Sequence, residues 1–179
     1  MRIRIEEIKL EEYPQFFVYL AKHLAENGKG NILFQPLSSN QLAIDSVWEK
    51  KFISGFHKEF GQAGWRKLWI ASNQDHQIVG HIDIRSRKEL NTPHRVLLGM
   101  GVDSAFRKLK IGQSLLENVI RFSKNHPIIE WIDLEVLTEN KPAISLYLKN
   151  NFIPLANFVD MFRIEGKSYD YTSMTLNVA

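Results

Sequence analysis

Residues 95–120 read RVLLGMGVDSAFRKLKIGQSLLENVI: an apolar run, a basic loop and an amphipathic helix in immediate succession. The helix is set by Ile111, Leu115, Leu116, Val119 and Ile120, which recur at helical spacing on one face, while Gln113, Glu117, Asn118, Arg121 and Lys124 occupy the other. The run RVLLGMGV is continuous in the way of a strand buried on both faces. Between the two stand Arg107, Lys108 and Lys110, just ahead of Gly112. A helix start has N–H groups without intrahelical partners and carries the positive end of the helix dipole, so cations beside it make a place for an anion, phosphate above all. The same residues also read as a solvated basic loop before an ordinary helix, and the neighbouring segments must decide.

Outward from this core the chain alternates strands and helices. Residues 2–8 alternate as a strand, Ile3 and Ile5 inward against Arg2 and Arg4, and a helix follows with Glu11, Glu12 and Pro14 in its first turn. Residues 27–40, NGKGNILFQPLSSN, are too rich in Gly, Asn, Ser and Pro for regular structure and form a loop of a length that is often functional. A second helix is marked by Trp48, Phe52, Ile53, Phe56 and Phe60, and residues 65–71 and 77–85 form a hairpin about SNQDH. Past the central helix, residues 131–137 alternate as a strand. Asn140 then caps a helix with Pro142 in its first turn and Ala143, Ile144, Tyr147 and Leu148 on its inner face. Asn150 and Asn151 suit a left-handed stop, and residues 157–164 and 168–178 close the chain as a hairpin turning at Glu165, Gly166 and Lys167. The predicted fold class is α/β in the wider, α+β sense: a mixed, mostly antiparallel sheet of about seven strands flanked by about four helices, with strand-helix-strand crossovers in its second half. Trp48, Trp65 and Trp69 are expected in the core.

Composition bounds the function. With 179 residues, 44% of them hydrophobic, residues 1–179 fit a single domain with a real core. The net charge of +3 comes from 23 basic and 20 acidic residues in mixed-sign runs, whereas a nucleic-acid module clusters its charge and interleaves exposed aromatics; no nucleic acid is expected as a partner. The absence of cysteine removes disulfides, thiolate metal sites and a Cys nucleophile. Charges run throughout MRIRIEEIKLEEYPQFFVYL, so neither a signal peptide nor a membrane span is read there, and the cytosol is the expected compartment.

Two stretches, VDSAFRKLKIGQSLL at residues 102–116 and LEVLTENKPAISLYLKNNF at residues 134–152, stand in register on either side of one helix. With the element order, they resemble the GNAT superfamily of acyl-CoA-dependent N-acetyltransferases. The resemblance implies acetyl-CoA as cosubstrate and an amine as acceptor, either a small molecule or a peptide N-terminus. It implies a pyrophosphate cradle made by Arg107, Lys108, Leu109, Lys110, Ile111, Gly112, Gln113 and Ser114. The pantetheine arm would pair like an added strand with Met100, Gly101 and Val102, and with Asn140. The strand of residues 95–102 must then part from that of residues 131–137, giving a splayed central pair. Gly99 and Gly101 are read as a bulge that opens it, or else as relief of crowding. Lys110 departs from the family's loop, which has glycine there. Either its backbone accepts a left-handed conformation at a cost of about 1 kcal/mol or more and its charge adds a phosphate contact, or acyl-CoA binding has decayed and the domain binds without turnover.

The chemistry so implied is attack of a free amine on a thioester, followed by protonation of the leaving thiolate. Tyr147 matches the family's general acid; read alone it is a core tyrosine with its hydroxyl satisfied nearby. RVLLGMGV offers no acid as general base, so Glu135, on the strand opposite the gap, is the catalytic candidate, or is a partly exposed strand residue. His81 and Asp83 share one face of HIDIR and either form a satisfied buried pair or reach the acceptor; as metal ligands they lack a third partner, and no metal is expected. Asp170 lies on the core face of the last strand at its rim, as a clamp for an ammonium or an edge residue turned to water, with Tyr169 and Tyr171 beside the same mouth. The acceptor's identity is not written in the residues, and the oligomeric state is left open, a homodimer included.

Overall fold

The computed structural model of the protein describes residues 2–29 and 33–179, so the loop read over residues 27–40 lies partly outside the described residues. Seven strands, β1 (Arg4–Glu7), β2 (Arg66–Ser72), β3 (Ile78–Ser86), β4 (Arg95–Val102), β5 (Trp131–Leu137), β6 (Ile153–Ile164) and β7 (Lys167–Asn177), form one sheet in the order β1-β2-β3-β4-β5-β7-β6. Every neighbouring pair is antiparallel except β4 and β5. Helices α1 (Tyr13–Leu24) and α2 (Ser46–Ser54) cover one face; α3 (Ile111–Lys124) and α4 (Lys141–Lys149) cover the other. Period-2 alternation in the strands divides the core accordingly. Leu68 and Ile70 of β2 pack with Phe16, Phe17, Leu20 and Phe52, while Trp69 and Ala71 pack with Leu115, Leu116 and Val119.

The helix ends follow local chemistry. Asp45 accepts the Trp48 N–H at 2.7 Å and starts α2, as Asn140 accepts the Ala143 N–H at 3.3 Å and starts α4. The expected continuation of α2 to Phe60 does not occur. The α-helix ends at Ser54 and a 3₁₀ turn follows, because the chain at Gly55 runs so close to β2 that a Cβ there would stand 2.7 Å from the Gly64 carbonyl. Phe60 instead packs edge-on against Trp65 at 4.8 Å. Trp65 and Trp69 are core, whereas Trp48 stacks on Phe52 at 4.9 Å yet stays 41% exposed.

The central strands part. β4 and β5 pair only at Arg95 with Trp131, Val96 with Ile132 and Leu97 with Asp133; beyond these the two strands have no shared ladder. The expected splay is therefore present, but not by the expected device. β3 and β4 stay in unbroken register through Gly99, opposite Asp83, and Gly101, opposite His81, so there is no bulge in that ladder. The glycines answer to crowding: a Cβ at Gly99 would meet Asp83 Oδ1 at 2.9 Å, and one at Gly101 would meet His81 Cε1 at 2.7 Å. Nor is β4 buried on both faces, since the parting of β5 leaves Leu97, Gly99, Met100 and Val102 half-buried.

The closed end of the splay is pinned by Asp133, which is 3% exposed. Its Oδ1 accepts from Arg95 Nη2 at 2.5 Å and from Thr175 Oγ1 at 2.6 Å, and its Oδ2 from Arg95 Nε at 2.8 Å and Arg87 Nη1 at 2.9 Å. One carboxylate thus ties β4, β5 and β7 at the last paired position. Asp133→Ala leaves Arg95 without its partner and Arg87 with Glu89 alone, both side chains half-buried, and calorimetry should show a loss of about 3 kcal/mol, the lower end for a buried pair, or roughly 10 °C in Tm. Burial opposes the charge of Asp133, but hydrogen bonds from Arg95 and Thr175 and the nearby guanidiniums outweigh it and hold the carboxyl below its ordinary value. A depressed folded pKa stabilises fully above the unfolded value of about 3.9 and ceases to do so as pH falls through the folded one. Wild type should lose this increment below about pH 4, and Asp133→Ala should lack that part of the acid transition.

Candidate active site

The loop from Asp103 to Lys110 delivers an uncapped helix. Asp103 Oδ1 accepts the Ala105 N–H at 2.9 Å and turns the chain, and the Phe106 N–H bonds back to the Asp103 carbonyl at 2.9 Å. Lys108 and Lys110 then both take left-handed backbone, at φ 63° and 62°. Lys110 is the N-cap of α3, with no side-chain cap hydrogen bond. The first helical bond is Ser114 N–H to the Lys110 carbonyl at 3.0 Å, so the N–H groups of Ile111, Gly112 and Gln113 have no partner within the helix. A left-handed lysine costs about 1 kcal/mol or more relative to glycine. The backbone therefore keeps the shape that glycine would give, and the side chains of Lys108, Leu109 and Lys110 are exposed around it.

Neighbouring contacts stiffen the cradle. Arg107 Nε donates to the Val102 carbonyl at 3.3 Å, and Arg107 Nη2 lies 3.6 Å from Glu26 Oε2. Glu26 also accepts from Ser104 Oγ at 2.6 Å, joining the end of α1 to the loop. Gln113 and Asn150 exchange amide hydrogen bonds at 2.9 and 3.0 Å, fixing α3 against the end of α4. A Cβ at Gly112 would stand 3.3 Å from Met100 Cε and 3.4 Å from Leu146 Cδ2, so the helix start approaches β4 and α4 closely. From this cradle the facing edges of β4 and β5 open away without a ladder between them. A phosphate group at one end and an extended amide-bearing arm along the other fit this arrangement.

The other expected residues fall into distinct places. Tyr147 is 6% exposed, packed against Phe152 at 5.6 Å, and burial first and the neighbouring Tyr171 second push its phenol well above the ordinary value. Glu135, in the middle of an interior strand, is exposed, because the parting of β4 leaves its face uncovered. Across the same face stands Tyr171, whose phenol is raised to about 12 by burial and then by Glu135, with Arg85 acting in the opposite direction. Asp83 is 5% exposed; its Oδ2 accepts from Arg85 Nη1 at 3.2 Å and is ion-paired with Arg66 Nη1 at the same distance.

His81 sits under α1, its Nδ1 3.1 Å from the Tyr19 hydroxyl, which also donates to the Gly101 carbonyl at 3.3 Å. Burial lowers His81 to about 3 and His23 to about 4, so both rings are neutral at physiological pH. Asp170, expected as an ammonium clamp, has both carboxylate oxygens engaged inside the β6–β7 hairpin, by the Asp160 N–H at 2.9 Å and Asn157 Nδ2 at 3.2 Å. Asn140 is the α4 cap. Arg66, Arg85 and Tyr19 were not singled out in the sequence. For Arg85 the alternation of HIDIR, which puts it on the face of His81 and Asp83, was the available signal.

The model of the acetyltransferase (GNAT) family matches residues 38–152, from before α2 to the end of the α4 segment. The chain belongs to the GNAT acetyltransferase family. As such it is an acetyl-CoA-dependent N-acetyltransferase. It is 29% identical over 126 residues, 66% of its length and 72% of the other's, to an N-alpha-acetyltransferase from Sulfolobus acidocaldarius. It is 30% identical over 78 residues, 44% of its length and 48% of the other's, to an L-amino acid N-acetyltransferase from Escherichia coli. Its fold is similar to that of a GNAT-family acetyltransferase from Streptococcus pneumoniae, with TM-score 0.83, 18% identity and coverage of 99% and 100% of the two chains. No described helix of this acetyltransferase is long and apolar enough to cross a membrane.

Proposed function

We propose that the chain transfers the acetyl group of acetyl-CoA to a primary amine by direct attack, with Glu135 as general base and Tyr147 as proton donor to the leaving sulfur. The observation that carries this is the exposed Glu135 on an interior strand, beside an opening that an extended arm can enter from the α3 cradle. Acetyl-CoA supplies the electrophilic thioester carbon and a thiol leaving group. The N–H groups of Ile111, Gly112 and Gln113, with Arg107, Lys108 and Lys110, hold its phosphates. The backbone of Met100–Val102 orients its arm and polarises the carbonyl.

An ammonium has no lone pair, so Glu135 takes its proton, directly or through one water, before or as the N–C bond forms. Tyr147 remains a phenol at neutral pH because burial disfavours its phenolate. A thiol ionises near 8.5 and an unperturbed phenol near 10, so full transfer from Tyr147 to the sulfur is uphill at about these values. The phenol therefore acts first by hydrogen-bonding the charge that develops on sulfur.

Thermal unfolding at fixed salt, with acetyl-CoA or CoA at about a hundred times Kd, tests the cofactor half. Stabilisation of about 2.7 kcal/mol is expected, or roughly 5–10 °C. Release of CoA thiol on addition of primary amines tests the other half. Absence of any shift overturns the cofactor site. A shift without thiol release over a broad amine panel overturns turnover and leaves a binding domain.

A further inference from the structure

The acceptor side of the splay is unbalanced in charge. Asp83 is the shared partner of Arg66 and Arg85, and neither guanidinium pairs with another acid among the described residues. His81, two residues along the same face, is neutral. The closed end of the splay is different. There Arg87 and Arg95 meet Asp133, and Arg87 also meets Glu89, so cations and anions match. Near Asp83 one positive charge is left over. Arg66 lies 3.9 Å over the Phe52 ring with a side chain 20% exposed, whereas that of Arg85 is 31% exposed.

Strand register puts this charge opposite Glu135. Arg85 Nη1 stands 3.0 Å from where a Cβ of Gly99 would be, so the guanidinium lies over Gly99. β4 and β5 run parallel with Leu97 opposite Asp133. Two residues on, and on the same face, Gly99 and Glu135 are level, now with the gap between them. The lips of the gap carry a guanidinium and a carboxylate that make no ion pair with each other among the described residues. Tyr171 lies within the field of both. Beyond it the same face is aromatic: Phe158 is opposite Tyr171 in register, and Phe162 meets Tyr171 edge-to-face at 5.0 Å.

We infer that the acceptor is a free α-amino acid with an apolar side chain, its carboxylate held by Arg85, its amine turned to Glu135 and its side chain against Tyr171, Phe158 and Phe162. The amine's direction rests on the acetyl-transfer reading above; the recognition of the carboxylate does not. A peptide N-terminus offers a neutral amide where Arg85 requires an anion, and a polyamine offers a second cation. An α-amino acid carries both charges at the separation of one carbon, so a single small molecule spans the two lips and neutralises the surplus guanidinium.

The test uses L-phenylalanine and L-phenylalaninamide, which differ only in the group facing Arg85. Calorimetric binding of each to the full chain saturated with CoA is compared with kcat/KM for acetylation of each. The amide's amine is the weaker base and is more fully deprotonated at neutral pH, so intrinsic reactivity favours the amide and a preference for the acid reports recognition. Wild type is expected to bind and acetylate the acid at least about tenfold better. In Arg85→Gln that ratio should approach one while thermal stabilisation by CoA is unchanged. In Arg85→Lys, which keeps a charge without the planar fork, an intermediate ratio is expected and carries the test if the glutamine variant does not fold. Equal binding of acid and amide by wild type, or ratios in both variants equal to wild type, overturns the inference and leaves acetyl transfer standing. Preferential, Arg85-dependent binding of the acid without acetylation supports the recognition and overturns the transfer reading instead.

Discussion

Replacing Glu135 by glutamine should lower kcat/KM for an amine acceptor by about a hundredfold to ten-thousandfold, the range that a positioned base contributes. The substitution keeps shape and exposure, and Glu135 makes no ion pair among the described residues, so stability should stay within about 0.5 kcal/mol of wild type. The loss falls on kcat when deprotonation occurs within the complex. Residual activity of Glu135→Gln should climb with pH, because solvent alone then supplies the free amine. Steady-state kinetics over a pH series reads both effects. A Glu135→Gln enzyme with wild-type kcat/KM at neutral pH would remove the carboxylate from the mechanism and return the base to water.

Tyr147→Phe removes one oxygen from a buried ring. The expected result is a fall in kcat of about a hundredfold or more, with thermal stabilisation by CoA unchanged. The ring and its contact with Phe152 at 5.6 Å remain, so packing at the end of α4 is conserved. The two readouts separate the roles available to this side chain. A tyrosine that only packs leaves kcat alone, one that only holds the arm weakens CoA, and one that meets the leaving sulfur changes kcat and little else. Unchanged kcat would sink the assignment.

Local regularities carried the framework. β4 at residues 95–102 and β5 at residues 131–137 were legible to the residue, and the start of α3 was fixed by the switch from a basic loop to helical spacing. What escaped depended on contacts between segments far apart in the chain. The end of α2 is set by how closely Gly55 approaches Gly64. The crowding at Gly99 exists only once β3 has paired with β4, and that at Gly101 only once His23 of α1 has also packed on the strand, whereas an isolated glycine pair in a strand reads equally well as a bulge. The cradle was recognisable because three cations and a helix start are neighbours in sequence. On the far side of the gap Glu135 and Tyr171 were legible as candidates but Arg85 was not: the three come from three strands, and only the register of the sheet brings them to one face. Asp170 was read from alternation alone, which does not show that the opposite strand holds a donor for each of its oxygens.

Those two bonds of Asp170 bear on how the molecule behaves at high concentration. β6 is an outer strand, twelve residues long, and Ile153, Leu155, Val159 and Met161 on it are each more than half exposed. A flat apolar border of that length offers its free amides to any other chain that can lie alongside, which is how cross-β aggregates begin. Here the ladder with β7 is broken twice, between Pro154 and Ala156 and between Phe158 and Phe162. At the second break Asp160 turns left-handed, at φ 52°, with its N–H held by Asp170. Proline removes one donor and the two breaks twist the remainder out of line. A carboxylate that alternation placed at the mouth of the active site thus helps to keep the sheet's longest open border from templating a fibril.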